Sequence, residues 1–262
     1  MSRFSSALPP AIRSAAGRCL ALAAAGLFVA ACNPASPSSS APGGSPPAAG
    51  GSTSAPATNS GGGSVLFPYA VGDTWVYEET IGTTHGTATN KVIAVKPVAG
   101  GHQVTLRSQA SIAGLPSTPT MLTYIFHNDG SITVPFAQVG NGEVSIKSGS
   151  IVWPSTAVLN SGQPHKSTLV LQIKSAALNT TVHAHVTVQG NGTQSVTVPA
   201  GTYQATVVKE TIAEKVSGIS VDTVVTTWLA PGVGPVKSQV VAGRPTATES
   251  SISQVLKSFT KG

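Results

Sequence analysis

The sequence predicts an all-β fold: a long antiparallel meander curled into a half-barrel or open barrel, with few or no helices. Three observations carry this. From Val65 onward Val, Thr and Ile dominate and charge is sparse. Alternating apolar and polar runs recur at regular spacing, the period-two pattern of strands with one buried face. The runs are separated by short Asn-, Gly- and Pro-containing links, and short links make sequential strands antiparallel neighbours. A meander of eleven or twelve such strands must curl rather than stay flat. About 198 residues suffice for one core and form a single domain, 65–262.

The strands follow in order. Thr74 to Ile81 alternates, with Trp75, Tyr77 and Ile81 on one face. Thr87 to Val98, His102 to Ile112 and Thr120 to His127 come next. Asn128-Asp129-Gly130 is a hairpin signal, and Ser131 to Phe136 is the return strand. Asn141-Gly142 turns again, because Asn and Gly tolerate the positive φ of tight hairpins. Val144 to Trp153 reads as one bent strand or two short ones, followed by a polar loop with Pro154, Gly162 and Pro164. Ser167 to Ser175 and Thr180 to Gln189 read as a hairpin that pairs His183 and His185 with Leu171 and Leu169. Asn191-Gly192 turns into Gln194 to Val198. Pro199-Ala200-Gly201 suits a type I turn. Thr202 to Val216 and Ile219 to Leu229 follow; Pro231 to Pro235 breaks the chain, and Val236 to Val241 and Thr246 to Phe259 finish it. Ile252, Val255, Leu256 and Phe259 also have helical spacing; a strand is favoured because Ser and Thr surround them and no cap is evident.

The first 64 residues have a different character. Arg3, Arg13 and Arg18 are the only charged side chains of the leader, and Cys19 to Val29 is a short apolar core. A basic start, a short apolar run and small residues at its end mark a secretory signal peptide, 1–31. The run is shorter than the ~20 apolar residues that a spanning helix needs. From Asn33 to Ser64 nearly every residue is Ala, Ser, Pro, Gly or Thr. Such a segment cannot bury enough apolar surface to offset its ordering entropy, so 32–64 reads as a disordered linker, with a root-mean-square span of roughly 30 Å. Removing the three leader arginines leaves twelve Lys and Arg against nine Asp and Glu, a net charge of only about +3. No basic cluster suggests nucleic acid and no polybasic run suggests anionic lipid.

Val29-Ala30-Ala31-Cys32 resembles a bacterial lipobox. The resemblance implies diacylglycerol on the Cys32 thiol and cleavage between Ala31 and Cys32. Cys19 would leave with the leader, so Cys32 would be the one cysteine of the mature chain and no disulfide could form. Several acyl chains hold a protein firmly where one holds marginally. Three further stretches are similar to a broad set of bacterial envelope lipoproteins of uncharacterised function: Phe67-Pro-Tyr-Ala-Val-Gly-Asp-Thr-Trp75, Val196-Thr-Val-Pro-Ala-Gly-Thr-Tyr203-Gln-Ala205, and Trp228-Leu-Ala-Pro-Gly-Val-Gly-Pro-Val-Lys237. They occur in that family's order and span most of the domain. The resemblance implies a curved antiparallel sheet related to the lipoprotein-carrier half-barrels, some of which hold lipid on the concave face.

Catalytic patterns are sparse. There is no Gly-x-Ser-x-Gly nucleophile elbow and no Gly-rich phosphate loop. Glu78 and Glu79 point to opposite faces of a strand, whereas Glu210 and Glu214 share one. His183-Ala184-His185 puts two imidazoles on the same side of a strand, about 6–7 Å apart. They are the weak metal candidates, and they lack an evident third ligand. Asn179-Thr-Thr and Asn191-Gly-Thr match a glycosylation sequon that a bacterial lipoprotein would not normally use. Trp75, Trp153, Trp228, Tyr124 and Tyr203 read as core. The expectation is a lipid-anchored, non-enzymatic protein of the cell membrane or outer membrane, on the periplasmic or extracellular side, with a structural or interaction role and no cofactor. It would hold the membrane through Cys32 and contact an envelope protein, not nucleic acid. The alternative is a carrier of an apolar ligand such as lipid on the concave face. A metal-dependent enzyme ranks third.

Overall fold

The computed structural model describes residues 66–112, 117, 119–134, 144–174, 179–216, 219–243 and 250–262. Cys32, the leader, the linker and the Asn141-Gly142 turn lie outside them.

Thirteen strands form one antiparallel sheet, nearly closed into a barrel. They are β1 (Thr74–Ile81), β2 (Thr84–Val98), β3 (Gly101–Ile112), β4 (Thr120–His127), β5 (Ile132–Val134), β6 (Val144–Gly149), β7 (Ile151–Trp153), β8 (His165–Lys174), β9 (Asn179–Val198), β10 (Gly201–Val216), β11 (Ile219–Ala230), β12 (Gly234–Gly243) and β13 (Ser250–Thr260). The order across the sheet is β6-β8-β9-β10-β11-β12-β13-β1-β2-β3-β4-β5-β7. β13 closes back on β1, so the two ends of the domain pair with each other. The sheet's two edge strands, β6 and β7, are consecutive in the chain and separated only by Ser150. The bent strand expected over Val144 to Trp153 is therefore the seam. Its first half pairs with β8, its second with β5. Gly149 makes the bend at a positive φ of 84°, against the Thr168 carbonyl where a β-carbon would collide.

Alternation decides what faces inward. On β1 Trp75, Tyr77 and Glu79 are buried while Glu78 is exposed. On β9 Val182, Ala184, Val186 and Val188 are buried while His183 and His185 are exposed. The main core holds Trp75, Tyr77, Tyr124, Leu106, Leu122, Ile151, Leu169, Leu171, Leu229 and Leu256, all fully buried.

The structure corrects the sequence reading in three places. The polar loop after Trp153 contains a short helix, α1 (Thr156–Ser161), ended by Gly162 in the left-handed conformation. Its one buried side chain is Leu159, and its backbone lies against Gly190, where a β-carbon would collide with the Leu159 carbonyl. A six-residue helix with one apolar anchor leaves no periodicity to read. Second, Asn191-Gly192 does not end a strand. β9 runs through it, with Gly190 opposite Val208 and Thr193 opposite Thr206, so two residues face Val207 alone. Asn-Gly serves here as a β-bulge with Gly192 at a φ of 76°, and positive φ suits a bulge as well as a hairpin. Third, the β8–β9 register is one residue from the expected one. Leu171 and Leu169 face Val182 and Ala184, whereas His183 and His185 face Val170 and Thr168. A one-residue slip moves a side chain to the other face. Ile252 to Phe259 is a strand, as favoured, and its helical spacing has another cause. The register with β1 shifts from Ser258 opposite Val76 to Leu256 opposite Tyr77, leaving Lys257 as the extra residue. That bulge brings Phe259 round to stack on Trp75, with ring centroids 5.2 Å apart.

Candidate functional site

The two ends of the barrel are built differently. At one end lie the β2–β3, β4–β5, β9–β10 and β11–β12 turns. The three motifs of the sequence analysis gather there. Phe67 packs on Trp75, Tyr124 and Phe126, with centroids 5.5–5.8 Å apart. Trp75 Nε1 donates to the Val233 carbonyl at 2.6 Å, and the Tyr77 hydroxyl donates to the Pro235 carbonyl at 3.0 Å. The opening motif thus grips the Pro-Gly-Val-Gly-Pro turn of the last one. The Ala200 amide of the middle motif donates to the Leu256 carbonyl on β13, and the Tyr203 hydroxyl returns to the Ala200 carbonyl at 3.1 Å. Asp73 accepts the Ala70 amide at 2.8 Å and the Gly262 amide at 3.0 Å, tying the two ends of the domain together. Every motif residue named here makes a structural contact, and the polar ones have partners.

Further along the barrel the interior changes. Glu79 on β1 stands opposite Gln254 on β13, Gln254 opposite Ser238 on β12, and Ser238 opposite Thr227 on β11. These four form a polar row one side chain deep. On one side of it lie Tyr77, Leu256 and Leu229 of the main core. On the other lies a small separate cluster, Val225, Val240 and Ile252, with Ile81 packed against it. The polar row continues onto β10. Glu210 lies opposite Val225, diagonal to both Thr227 and Thr223. Thr223 is opposite Ile212, and Glu214, opposite Val221, is its next diagonal neighbour. Diagonal pairs on one face lie within reach of long side chains. Glu79, Gln254, Ser238, Thr227, Glu210, Thr223 and Glu214 therefore make one continuous polar track over five strands.

All seven are buried, with no residue more than 5% exposed. Burial pushes the carboxyls of Glu79, Glu210 and Glu214 up to about 7. A Gln254 hydrogen bond pulls Glu79 partly back, and a Trp153 hydrogen bond does so for Glu210. At Glu214 the nearby Asp222 charge adds to the rise. Trp153 Nε1 reaches Glu210 Oε2 at 3.0 Å from the seam strand β7. Glu79 Oε2, Glu210 Oε1, Glu214 Oε2 and the hydroxyls of Thr223, Thr227 and Ser238 have no hydrogen-bond partner among the described residues. No described lysine or arginine is buried, and the ion pair Lys257–Glu78, at 3.7 Å, is on the surface.

The sequence's own candidates stand apart from this track. His183 and His185 are exposed on the outer face beside Val170, Thr168 and Ala213. No group of three or more His, Cys, Asp or Glu that could hold a metal ion occurs among the described residues. Glu210 and Glu214 do share a face, as read, but that face is the barrel interior. Trp153 and Tyr124 are core; Trp228 and Tyr203 are half-buried. Trp228 donates to Gln194 at 3.1 Å and lies under the Lys237 ammonium.

The fold defines a class of curled antiparallel sheets closed over a packed interior, and two solved structures, from Bacteroides fragilis and Parabacteroides distasonis, share it. A candidate exported protein with YmcC-like fold from Bacteroides fragilis aligns over 76% of this chain and 100% of its own, with a TM-score of 0.53 and 18% identity. A candidate lipoprotein from Parabacteroides distasonis aligns over 75% of this chain and 99% of its own, with a TM-score of 0.54 and 16% identity. The hypothetical lipoprotein YmcC from Escherichia coli aligns with a TM-score of 0.34 and 9% identity, over 74% of this chain and 86% of its own. A family model described as DUF3108-like matches residues 130–241, from the β4–β5 turn through most of β12. No curated protein matches the chain.

Proposed function

We propose that the chain is a lipid-anchored lipoprotein of the cell envelope, held through acyl chains on Cys32, with a non-enzymatic structural or interaction role. The observation that carries the reading is Val29-Ala30-Ala31-Cys32, behind a basic leader and ahead of a linker without charge or large apolar side chains. The proteins of like fold from Bacteroides and Parabacteroides, described as exported and as a lipoprotein, support it. The domain would sit on the periplasmic or extracellular side of the cell membrane or outer membrane and meet an envelope protein there. An apolar ligand on the concave face has no observation in its favour. Trp75, Tyr77, Tyr124 and Leu256 occupy one part of that face and a polar track crosses the rest.

Cys32→Ser, or treatment with the lipoprotein signal peptidase inhibitor globomycin, tests the anchor by cell fractionation. The wild-type chain should partition with membranes and the variant with the soluble fraction. An unchanged distribution overturns the anchoring.

A further inference from the structure

The outside of the barrel is not uniform. Four of the nine carboxylates in the sequence, Asp73, Glu79, Glu210 and Glu214, are buried, which leaves the outer surface short of negative charge. The shortage is complete on β2, β3 and β4, three neighbouring strands without a single Asp or Glu. Lys91 on β2 stands opposite Arg107 on β3, and Arg107 opposite Met121 on β4; all three side chains are exposed. Lys96 is exposed further along β2. The carboxylates on the flanking strand and turn are engaged elsewhere. Glu78 on β1, opposite Thr87, pairs with Lys257, and Asp129, in the turn after β4, accepts from Ser131. Like charges directly opposite in a sheet repel, so Lys91 and Arg107 cost stability unless something anionic covers them.

The same face carries exposed apolar side chains. Six large ones are exposed among the described residues, and four belong to this sector: Ile93 and Val98 on β2, Met121 on β4, and Val71 on the segment that feeds β1. Met121 and Val71 are each 57% exposed. The Val71 segment lies along β2, where the Gly72 amide donates to the Val92 carbonyl and the Val92 amide to the Asp73 carbonyl, both at 2.9 Å. Ile93 is the extra residue of a bulge between Val92 and Ala94. A soluble anion would answer the cations and leave Met121 and Val71 in water. An apolar partner would bury Lys91 and Arg107 unpaired. A bilayer with anionic headgroups answers both. The chain also enters the barrel here: Phe67 packs on Tyr124 and Phe126 of β4, and Tyr69 on Phe126. A coil of residues 32–64 spans roughly 30 Å, enough to let this face reach the surface that holds Cys32.

We propose that the outer face of β2, β3 and β4 is a membrane-docking surface: Lys91, Lys96 and Arg107 meet the phosphates of anionic lipids while Met121, Ile93 and Val71 enter the headgroup layer, and the barrel lies on its side. This rests on the anchoring at Cys32, to which it adds an orientation. No stretch of the sequence is polybasic; cross-strand register assembles the patch.

The test uses the acylated chain reconstituted in vesicles of phosphatidylcholine, with or without phosphatidylglycerol, and a dansyl-labelled lipid as energy acceptor. All three tryptophans, Trp75, Trp153 and Trp228, are in the barrel, so tryptophan-to-dansyl transfer reads how close it lies to the bilayer. Transfer should be about twofold greater with phosphatidylglycerol than without. Sodium chloride at about 1 M, where the Debye length is about 3 Å, should remove most of the difference, a readout that needs no variant. Lys91→Glu with Arg107→Glu should bring transfer down to the phosphatidylcholine value. Lys166→Glu with Lys209→Glu, on β8 and β10 across the barrel, should leave it high. Flotation with pure phosphatidylcholine vesicles reads the anchor alone: a chain that fails to float overturns the anchoring and the docking that rests on it. A chain that floats but shows equal transfer in the two vesicles overturns the docking and spares the anchor. Transfer that survives Lys91→Glu with Arg107→Glu overturns it too, as does an equal loss in the β8–β10 pair, which would report general attraction of a cationic protein.

Discussion

The two ends of this barrel use the same residue types for opposite purposes. At the motif-bearing end each buried polar group named above has a partner: Trp75 Nε1 on Val233, the Tyr77 hydroxyl on Pro235, Asp73 on Ala70 and Gly262. Around Glu210 and Thr223, buried polar atoms face one another without partners among the described residues. A satisfied polar network rigidifies, whereas a partly satisfied one costs stability and marks a place where chemistry outranks packing. Sequence motifs thus point to the end that holds the fold together. The region that buries the polar track carries no motif.

The largest expected effect breaks the structural end. Trp75→Ala removes stacking on Phe259 and packing on Phe67, and leaves the Val233 carbonyl unanswered. It should cost about 3–5 kcal/mol in urea denaturation, enough to unfold much of the population. The next effect sharpens the contrast, because at the polar end removing a charge should help. The native carboxyl of Glu210 sits at about 7 against an ordinary 4.5, so the folded state holds a proton that the unfolded state has already lost between those values. Its contribution to stability is therefore full below about pH 4.5 and lost as pH rises through about 7. Glu210→Gln should flatten that dependence and be more stable than wild type at pH 8, by on the order of 3 kcal/mol at about 1.4 kcal/mol per pKa unit. At pH 4.5 the two should be nearly equal. Thermal melts across this pH range check it, and a variant less stable at pH 8 would contradict the burial argument. The smallest effect lies back at the motif end. Asp73→Ala loses two backbone hydrogen bonds to a half-exposed turn and should cost about 1–2 kcal/mol, read as a lower urea midpoint.

Much of the barrel was legible from the sequence. Alternation placed β1 and β4 to the residue, and the Pro-Ala-Gly turn and the Pro231 to Pro235 break fell where the structure has them. Misreadings arose where one signal serves two geometries. Asn-Gly marks a positive φ, and the bulge at Asn191-Gly192 needs that as much as a hairpin would. The segment from Ile252 to Phe259 reads as a strand despite its helical spacing, and the three-residue step from Leu256 to Phe259 comes from the bulge at Lys257. The His183 register differs by one residue because no Gly, Pro or Asn-Gly signal marks the length of the β8–β9 connection in the sequence, and one residue reverses the face. The polar track was half visible. Glu210 and Glu214 share parity with inward-facing Val208 and Ile212, and Glu79 shares it with Trp75 and Tyr77. A carboxylate at an inward position of a strand is a signal, but Thr227 and Ser238 look like ordinary strand residues, and only cross-strand register joins them to it.

The seam at Ser150 has a consequence for how this molecule stays clear of its own copies. An open sheet presents two edges that can recruit other chains, and such edges seed aggregation. Here both edges belong to one continuous stretch, Val144 to Trp153, so one cannot drift far from the other while the backbone is intact. A single proteolytic cut at Ser150 would remove that tether without deleting a residue. It would turn a self-contained protein into a ribbon with two free borders, and the first symptom would be sticking to its own copies.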